Sequence, residues 1–299
     1  MSQSGTQSVY RVMPLMPGLY IVATPIGSAR DITLRALDIL ASVDVIAAED
    51  TRMTRKLMEM HGVALNGRPI LPYHDHNGSA QRPKLLALMA KGRSVAFASD
   101  AGTPLVADPG FDLVRAAIAE GFSVTSAPGP SAVLAGLTLS GLPTDRFLFA
   151  GFPPNAKSAR LNFLKEFQSV ESTLVFFESP KRVAPTLAAM IEVFGADRPA
   201  ALCRELTKKF EQARRGTLKE VADSVVETAP KGEIVLVLGR PIHIAPTQDS
   251  LTSDLISLLS SHSVKEAARI LADETGVPKR DLYQLALTLR DTANEQERE

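Results

Sequence analysis

No stretch of the sequence stays apolar for the roughly 18–20 residues that a bilayer crossing requires, so no membrane association is expected. The opening MSQSGTQSVYRVMPLMPG has neither the basic start nor the apolar middle of a secretory signal, and residues 1–17 read as a disordered lead. Cysteine is limited to Cys203, which rules out an internal disulfide framework and suits a reducing, cytoplasmic compartment. Five scattered histidines have no zinc-ligand spacing. His74-Asp75-His76 is the nearest approach to one, but three neighbours in an extended loop cannot all face one ion, so no metal is expected. Net charge is lacking too: 33 Lys and Arg balance 33 Asp and Glu, which argues against a grossly basic nucleic-acid binder. Nor is there a G-x-G-x-x-G after a strand or a G-x-x-x-x-G-K-[ST] loop, the usual cradles for a dinucleotide and a triphosphate.

What is present is ordinary globular material. The 299 residues, 45% hydrophobic and 22% charged, have the mass for about two domains of ~150 residues. Between Gly18 and Pro128 short apolar runs alternate with helical patterns. Gly18–Thr24, Val43–Ala48, Val95–Ser99 and Ser123–Ala127 read as strands, several of them apolar on successive residues, as strands covered on both faces must be. Leu34–Ala41, Thr54–His61, Pro83–Lys91 and Phe111–Glu120 have helical periodicity, and Gly62, Gly92 and Gly121 stand where helices end. This alternation predicts a parallel, Rossmann-like α/β domain over residues 18–128. A second α/β domain with a mixed sheet is expected over 129–240, from strands at Phe147–Ala150, Thr173–Phe177, Ala200–Arg204 and Glu233–Leu238 and a helix at Pro185–Phe194. Pro241–Thr247 reads as a linker, and residues 250–299 as a small helical module.

In open parallel sheets ligands settle beyond the carboxyl ends of the strands. That rule puts Thr24-Pro25-Ile26-Gly27, Glu49-Asp50-Thr51-Arg52 and Ser99-Asp100-Ala101-Gly102-Thr103-Pro104 on one rim. Asp100 is placed to hydrogen-bond a polar ligand edge, while Ala101 and Gly102 allow backbone to approach closely. Asp108, just before Pro109, reads as the cap of the following helix. With both phosphate cradles missing, elimination leaves a phosphate-free ligand such as a nucleoside with an amino-acid tail.

The stretches TPIGSARDITLRAL, AAEDTR, SDAGTPLVADPG, PGPSA, FFESPKR and RELTK, in that order, resemble the tetrapyrrole-methylase fold family, and more narrowly its ribosomal branch, the small-subunit rRNA methyltransferase I group. The resemblance runs from about Gly18 to Arg240. It implies a homodimer that holds S-adenosylmethionine between the two α/β domains and methylates a ribose 2′-oxygen on a decoding-centre cytidine of 16S rRNA. By position, the family's cofactor contacts fall on Pro25, Asp100, Ala101, Gly102, Leu105, Ser131, Ala132 and Phe177. The tetrapyrrole branch has a glycine-rich first loop and a G-D-P stretch where this chain has TPIG and SDAGTP, which argues against a corrin or porphyrin substrate.

A ribose hydroxyl needs a base within hydrogen-bond reach. Glu178 and Lys181 are the leading candidates, with Glu205 a third. Arg52, Arg182, Arg204 and Lys208 are expected to contact RNA phosphates. Residues 198–219 hold seven basic residues against Glu205 and Glu211, whereas 241–299 hold six against ten acidic ones. In the latter segment Ala272, Gly276 and Leu282 have helix-turn-helix spacing, with Lys279 and Arg280 opening the second helix. Three other readings compete: a dehydrogenase, a helix-turn-helix nucleic-acid-binding protein without enzymatic activity, and a methyltransferase of the same fold acting on a small molecule or a protein side chain.

Overall fold

A computed structural model describes residues 9–242 and 247–296. The chain through Pro241 forms one compact unit and the chain from Ile242 a second. In the first half of the larger unit, β1 (Gly18–Val22), α1 (Leu34–Ser42), β2 (Val45–Ala48), α2 (Thr51–Met60), β3 (Ile70–Pro72), α3 (Gly78–Ala90), β4 (Ser94–Ala98), α4 (Phe111–Ala119) and β5 (Val124–Ala127) follow in order. The strands make one parallel sheet in the order β3-β2-β4-β1-β5. β2 and β4 are buried along their whole length, as their continuous apolar runs require. Leu37 and Leu40 of α1 pack on one face of the sheet, and Leu85, Met89 and Leu113 of α3 and α4 on the other.

The second half runs α5 (Ala132–Ser140), β6 (Phe147–Phe149), α6 (Lys157–Lys165), β7 (Thr173–Glu178), α7 (Val183–Phe194), β8 (Pro199–Arg204), β9 (Gln212–Thr217), α8 (Leu218–Glu227) and β10 (Ile234–Leu238). Its sheet is mixed, in the order β6-β7-β10-β8-β9, with only β6 and β7 parallel. Residues of α6, α7 and α8 cover one face of it. Val133 and Leu137 of α5 cover the other, together with Ile26 and Val106 from the first half. The two sheets thus share apolar contacts within a single unit.

Three elements go beyond the sequence reading. β3 is three residues long and ends on a proline, too short to show a pattern. β9 is an edge strand whose QARRGT sequence carries no apolar alternation, because an edge strand has a partner on one side and water on the other. α8 follows it directly behind a Thr217/Glu220 capping box. α3 starts at Gly78, so Pro83 lies inside the helix and not at its head. Residues 9–17, expected to be part of a disordered lead, are fastened to the first half. The Tyr10 hydroxyl donates to the Gly62 carbonyl at 2.8 Å and the Arg11 amide to Asp38 at 2.6 Å. Residues 1–8 lie outside the described residues, as do 243–246 of the linker.

In the smaller unit α9 (Gln248–Leu259), α10 (Val264–Thr275) and α11 (Lys279–Gln296) close on a core of Leu255, Ala267, Ala268, Leu271, Leu282 and Ala286. Ser263 and Glu266 form a capping box at the head of α10, and Gly276 ends it in the left-handed conformation, φ 72°. The turn glycine and the Leu282 anchor thereby take the helix-turn-helix positions.

At Gly136 α5 lies close against the mixed sheet. A Cβ there would lie 2.7 Å from Cγ1 of the buried Val235 on β10. Gly136→Ala is expected to cost about 1–3 kcal/mol through overpacking, read as a lower urea midpoint at unchanged slope.

Candidate active site

The tips of β1 and β4 are joined by two backbone bonds. The Thr24 amide donates to the Gly102 carbonyl at 2.9 Å, and the Gly102 amide returns to Thr24 at 3.0 Å. The Thr24 hydroxyl donates to the Ser99 carbonyl and the Ser99 hydroxyl to the Gly102 carbonyl, both at 3.1 Å, so the buried polar groups of the knot are satisfied. Gly102 has φ +83°, which a side chain would strain, and the methyl of Ile26 leaves little room beside it. The tip of β2 joins the rim through Asp100, whose carboxylate accepts from the Asp50 amide at 2.8 Å.

Between this rim and the mixed sheet lies a cleft of about 430 Å³, within the roughly 300–1,000 Å³ usual for small-molecule sites. Its apolar walls are Ile26, Val106, Phe152, Phe177, Ile234 and Val235. Phe177 packs with Phe149 and Phe152 at centroid distances of 4.7 and 5.5 Å. Its polar lining includes Glu49, Asp100, Asp108, Glu233 and Ser131, and among the described residues no lysine or arginine lines it. A cavity of this make-up disfavours phosphate and favours a cation with apolar groups attached.

Of the residues expected at a cofactor, Asp100, Ala101, Gly102, Ser131, Ala132 and Phe177 come together here. Ser131 stands at the head of α5 without a side-chain capping bond. Pro25 lines a neighbouring hollow that shares Asp100. Leu105, at φ 72°, packs into the first half's core beside Gly110.

The expected catalytic and phosphate-binding side chains are differently employed. Glu178 reaches the cleft at the end of β7, but its side chain is fully buried. It accepts from Thr186 Oγ1 at 2.6 Å and the Ser179 amide at 2.8 Å, and pairs with Arg182 Nε at 3.2 Å. A carboxylate held this way fixes its loop and has no face left for an acceptor. Arg182 also donates to the Pro153 carbonyl. Lys181 is exposed on the turn between β7 and α7. Arg52 is held by Asp50 at 2.6 Å, a contact that keeps the Asp50 carboxyl down at about 2. Arg204 donates to Gln212 at 3.0 Å. Lys208 bridges Glu205 at 3.1 Å and Glu233 at 2.9 Å. Two further cations of 198–219 are employed in the same manner: Arg198 is buried on the Gly239 carbonyl, and Arg215 reaches the Leu139 carbonyl.

The loop of Glu205 and Lys208 also latches the halves. The Ser28 amide donates to Thr207 Oγ1 at 3.0 Å, and a Cβ on Gly27 would stand 2.7 Å from that oxygen and 2.9 Å from the Leu206 carbonyl. Glu205 and Thr207 both hold positive φ, 51° and 62°.

Two carboxylates carry more than the sequence assigned them. Glu49 is pushed up by burial and by the Asp100 charge. Asp108 is not a helix cap: α4 is headed by Gly110, with no side-chain capping bond. Burial, with the Glu49, Asp100 and Asp75 charges, lifts the Asp108 carboxyl to about 7. The signal was the stretch SDAGTPLVADPG itself, whose second acid closes the same loop as its first.

The chain matches the family model of Tetrapyrrole (Corrin/Porphyrin) Methylases over residues 18–222 and that of the RsmI C-terminal HTH domain over 248–290. It is 49% identical to "Ribosomal RNA small subunit methyltransferase I" of Mesorhizobium japonicum, covering 94% of this chain and 95% of that protein. With the Pseudomonas aeruginosa protein of the same name identity is 42%, over 90% and 96%. The chain belongs to the tetrapyrrole methylase family, in the branch that these small-subunit methyltransferases form. Among solved structures, uroporphyrin-III C-methyltransferase from Thermus thermophilus, complexed with S-adenyl homocysteine, aligns at a TM-score of 0.51 with 22% identity, over 74% of this chain and 97% of that one. Diphthine synthase aligns at 0.56 with 15% identity, over 74% and 89%. Both show the shared fold of the larger unit.

The raised Asp108 carboxyl fixes the sign of one pH effect. Its folded value lies above its ordinary one, so stability from this group is full below pH about 4 and is lost as pH rises through about 7. Asp108→Asn removes the charge, and its melting temperature relative to the parent chain is expected to be higher at pH 8 than at pH 5.

Proposed function

We propose that this protein is an S-adenosylmethionine-dependent methyltransferase acting on the ribose 2′-oxygen of a cytidine in the decoding region of 16S ribosomal RNA. The observation that carries the donor is the cleft's charge. Carboxylates and aromatic rings line it, with no lysine or arginine in its walls among the described residues, which suits a ligand bearing a sulfonium and an ammonium and no phosphate. Asp100 and Glu49 would hold the positive groups, and the backbone at Ala101, Gly102 and the head of α5 would take polar edges. Phe152, Phe177 and Val235 would cover the apolar parts and exclude water. When bound, the donor supplies an electrophilic methyl group; the protein aligns the acceptor with it and takes up the acceptor's proton.

The rRNA half of the reading is supported by the relatives named for small-subunit methylation, and the ribose position by the resemblance carried in the six motifs. In this reading the protein works in the cytoplasm as a homodimer on the small ribosomal subunit or its rRNA. The phosphate-binding role moves from Arg52, Arg182, Arg204 and Lys208, each already partnered, toward the C-terminal module. There Lys265, Lys279 and Arg280 surround a hollow with Tyr283, exposed and without ion pairs among the described residues.

A labelled methyl-donor assay on isolated small subunits, free 16S rRNA and no acceptor, with mapping of the product, tests the reaction. A 2′-O-methylcytidine in the decoding region is expected; label on no RNA sinks the acceptor assignment. Replacing Lys265, Lys279 and Arg280 together by Ala is expected to weaken RNA binding and flatten its log–log salt slope by about 2, from roughly 0.7–0.9 per lost phosphate contact. Calorimetric binding of S-adenosylhomocysteine should be unchanged in this variant.

A further inference from the structure

Beside the cleft lies a second, polar hollow of about 260 Å³, lined among others by Tyr73, His74, Asp75, Arg82 and Asp112. Asp108 belongs to the walls of both. A methyl group that crosses from a donor in the cleft to an oxygen outside it must pass where two such spaces adjoin, and the proton of that oxygen must be taken up at the same boundary. We propose that the polar hollow receives the acceptor ribose and that the Asp108 carboxylate accepts its 2′-hydroxyl proton.

This rests on the methyltransferase reading above. The balance is complete: the O–H bond gives its proton to Asp108, the oxygen forms the new C–O bond, and the C–S bond's electron pair stays on sulfur, leaving a neutral thioether.

Three features single out Asp108. Its carboxylate is acted on by burial and by other carboxylates, with no hydrogen-bond donor among the described residues, so its lone pairs are free for a hydroxyl. Its loop is held in a costly shape: Leu105 and Ala107 are left-handed at 72° and 61°, and Gly110, at 121°, has the Phe97 ring 2.4 Å from where a Cβ would stand. Its environment keeps it half-protonated near neutrality, where a base gives and takes protons most readily. The groups facing it are Glu49 and Asp100 on the rim, Asp75 and His74 after β3, Arg82 on α3 and Asp112 on α4. Arg82, in the wall of the hollow, is paired with Asp112 at 3.2 Å.

The test compares the full chain with Asp108→Asn and Lys181→Ala. With S-adenosylmethionine saturating for each protein, as checked by calorimetry, single-turnover methyl transfer by Asp108→Asn is expected to fall by about 10²–10⁴. The parent's rate should rise with pH through a midpoint near 7, and the variant's should lack that step. Carboxyl ¹³C spectra, with Asp108→Asn as the assignment control, should show Asp108 titrating near the same pH in the absence of any RNA. A rate within about tenfold of the parent in Asp108→Asn overturns the proposal. So does a loss confined to Lys181→Ala, or a carboxyl midpoint near the ordinary value of about 4. Absence of methyl transfer to RNA by the parent chain, with the carboxyl titrating near 7, would count against the acceptor reading and not against the state of Asp108.

Discussion

Two amide-to-carbonyl bonds between Thr24 and Gly102 determine where the working parts of this molecule stand. Parallel neighbours in a sheet normally part at their carboxyl ends, each turning toward its own helix. Here the tips of β1 and β4 are pulled into a short antiparallel contact, and Thr24 and Ser99 side chains close the remaining polar groups around it. The chain leaving β1 must therefore cross toward the second half, where Ile26 enters the apolar contact with α5 and the mixed sheet. The chain leaving β4 must loop back over its own sheet, carrying Asp100, Ala101 and later Asp108 along the open side of the cleft.

The second half answers with a latch of its own. Thr207 receives the Ser28 amide, Gly27 leaves the space that this approach needs, and Lys208 ties Glu205 to Glu233 at the cleft's edge. Lys208 is thereby used for architecture, and the cleft carboxylates unpaired among the described residues, Glu49, Asp100 and Asp108, are left to its lining. A surface inventory of lysines and arginines would place nucleic acid at residues 198–219. Hydrogen bonds to Gln212, Leu139 and Gly239 remove three of those side chains from consideration.

Much of the fold was legible because buried parallel strands and their helices write long, unambiguous patterns. The continuous apolar runs of β2 and β4 could only be strands covered on both sides, and the glycines after α2, α3 and α4 marked their ends. β3 and β9 escaped because one is three residues long and the other is a polar edge. The rim was legible for the same reason as the strands: small residues after an apolar run mark backbone that must come close to something. Side-chain roles were not. Glu178 sits in a motif at the end of a strand, yet its carboxylate is spent on Thr186 and Arg182, which lie several residues farther along and meet it only in the folded chain. Asp before Pro is so often a helix cap that the residue types at 108 and 109 point to one. The positive φ angles that aim Asp108 elsewhere leave no trace in residue types such as leucine and alanine.

The acidic lining of the cleft has a bearing on turnover. Under the proposed reaction the ligand enters with one more positive charge than it carries when spent, while Glu49 and Asp100 remain where they were. In a partly desolvated slot the loss of a unit charge near carboxylates weakens attraction far more than it would in water. Under that reaction the same lining holds the charged donor more strongly than the neutral thioether it becomes.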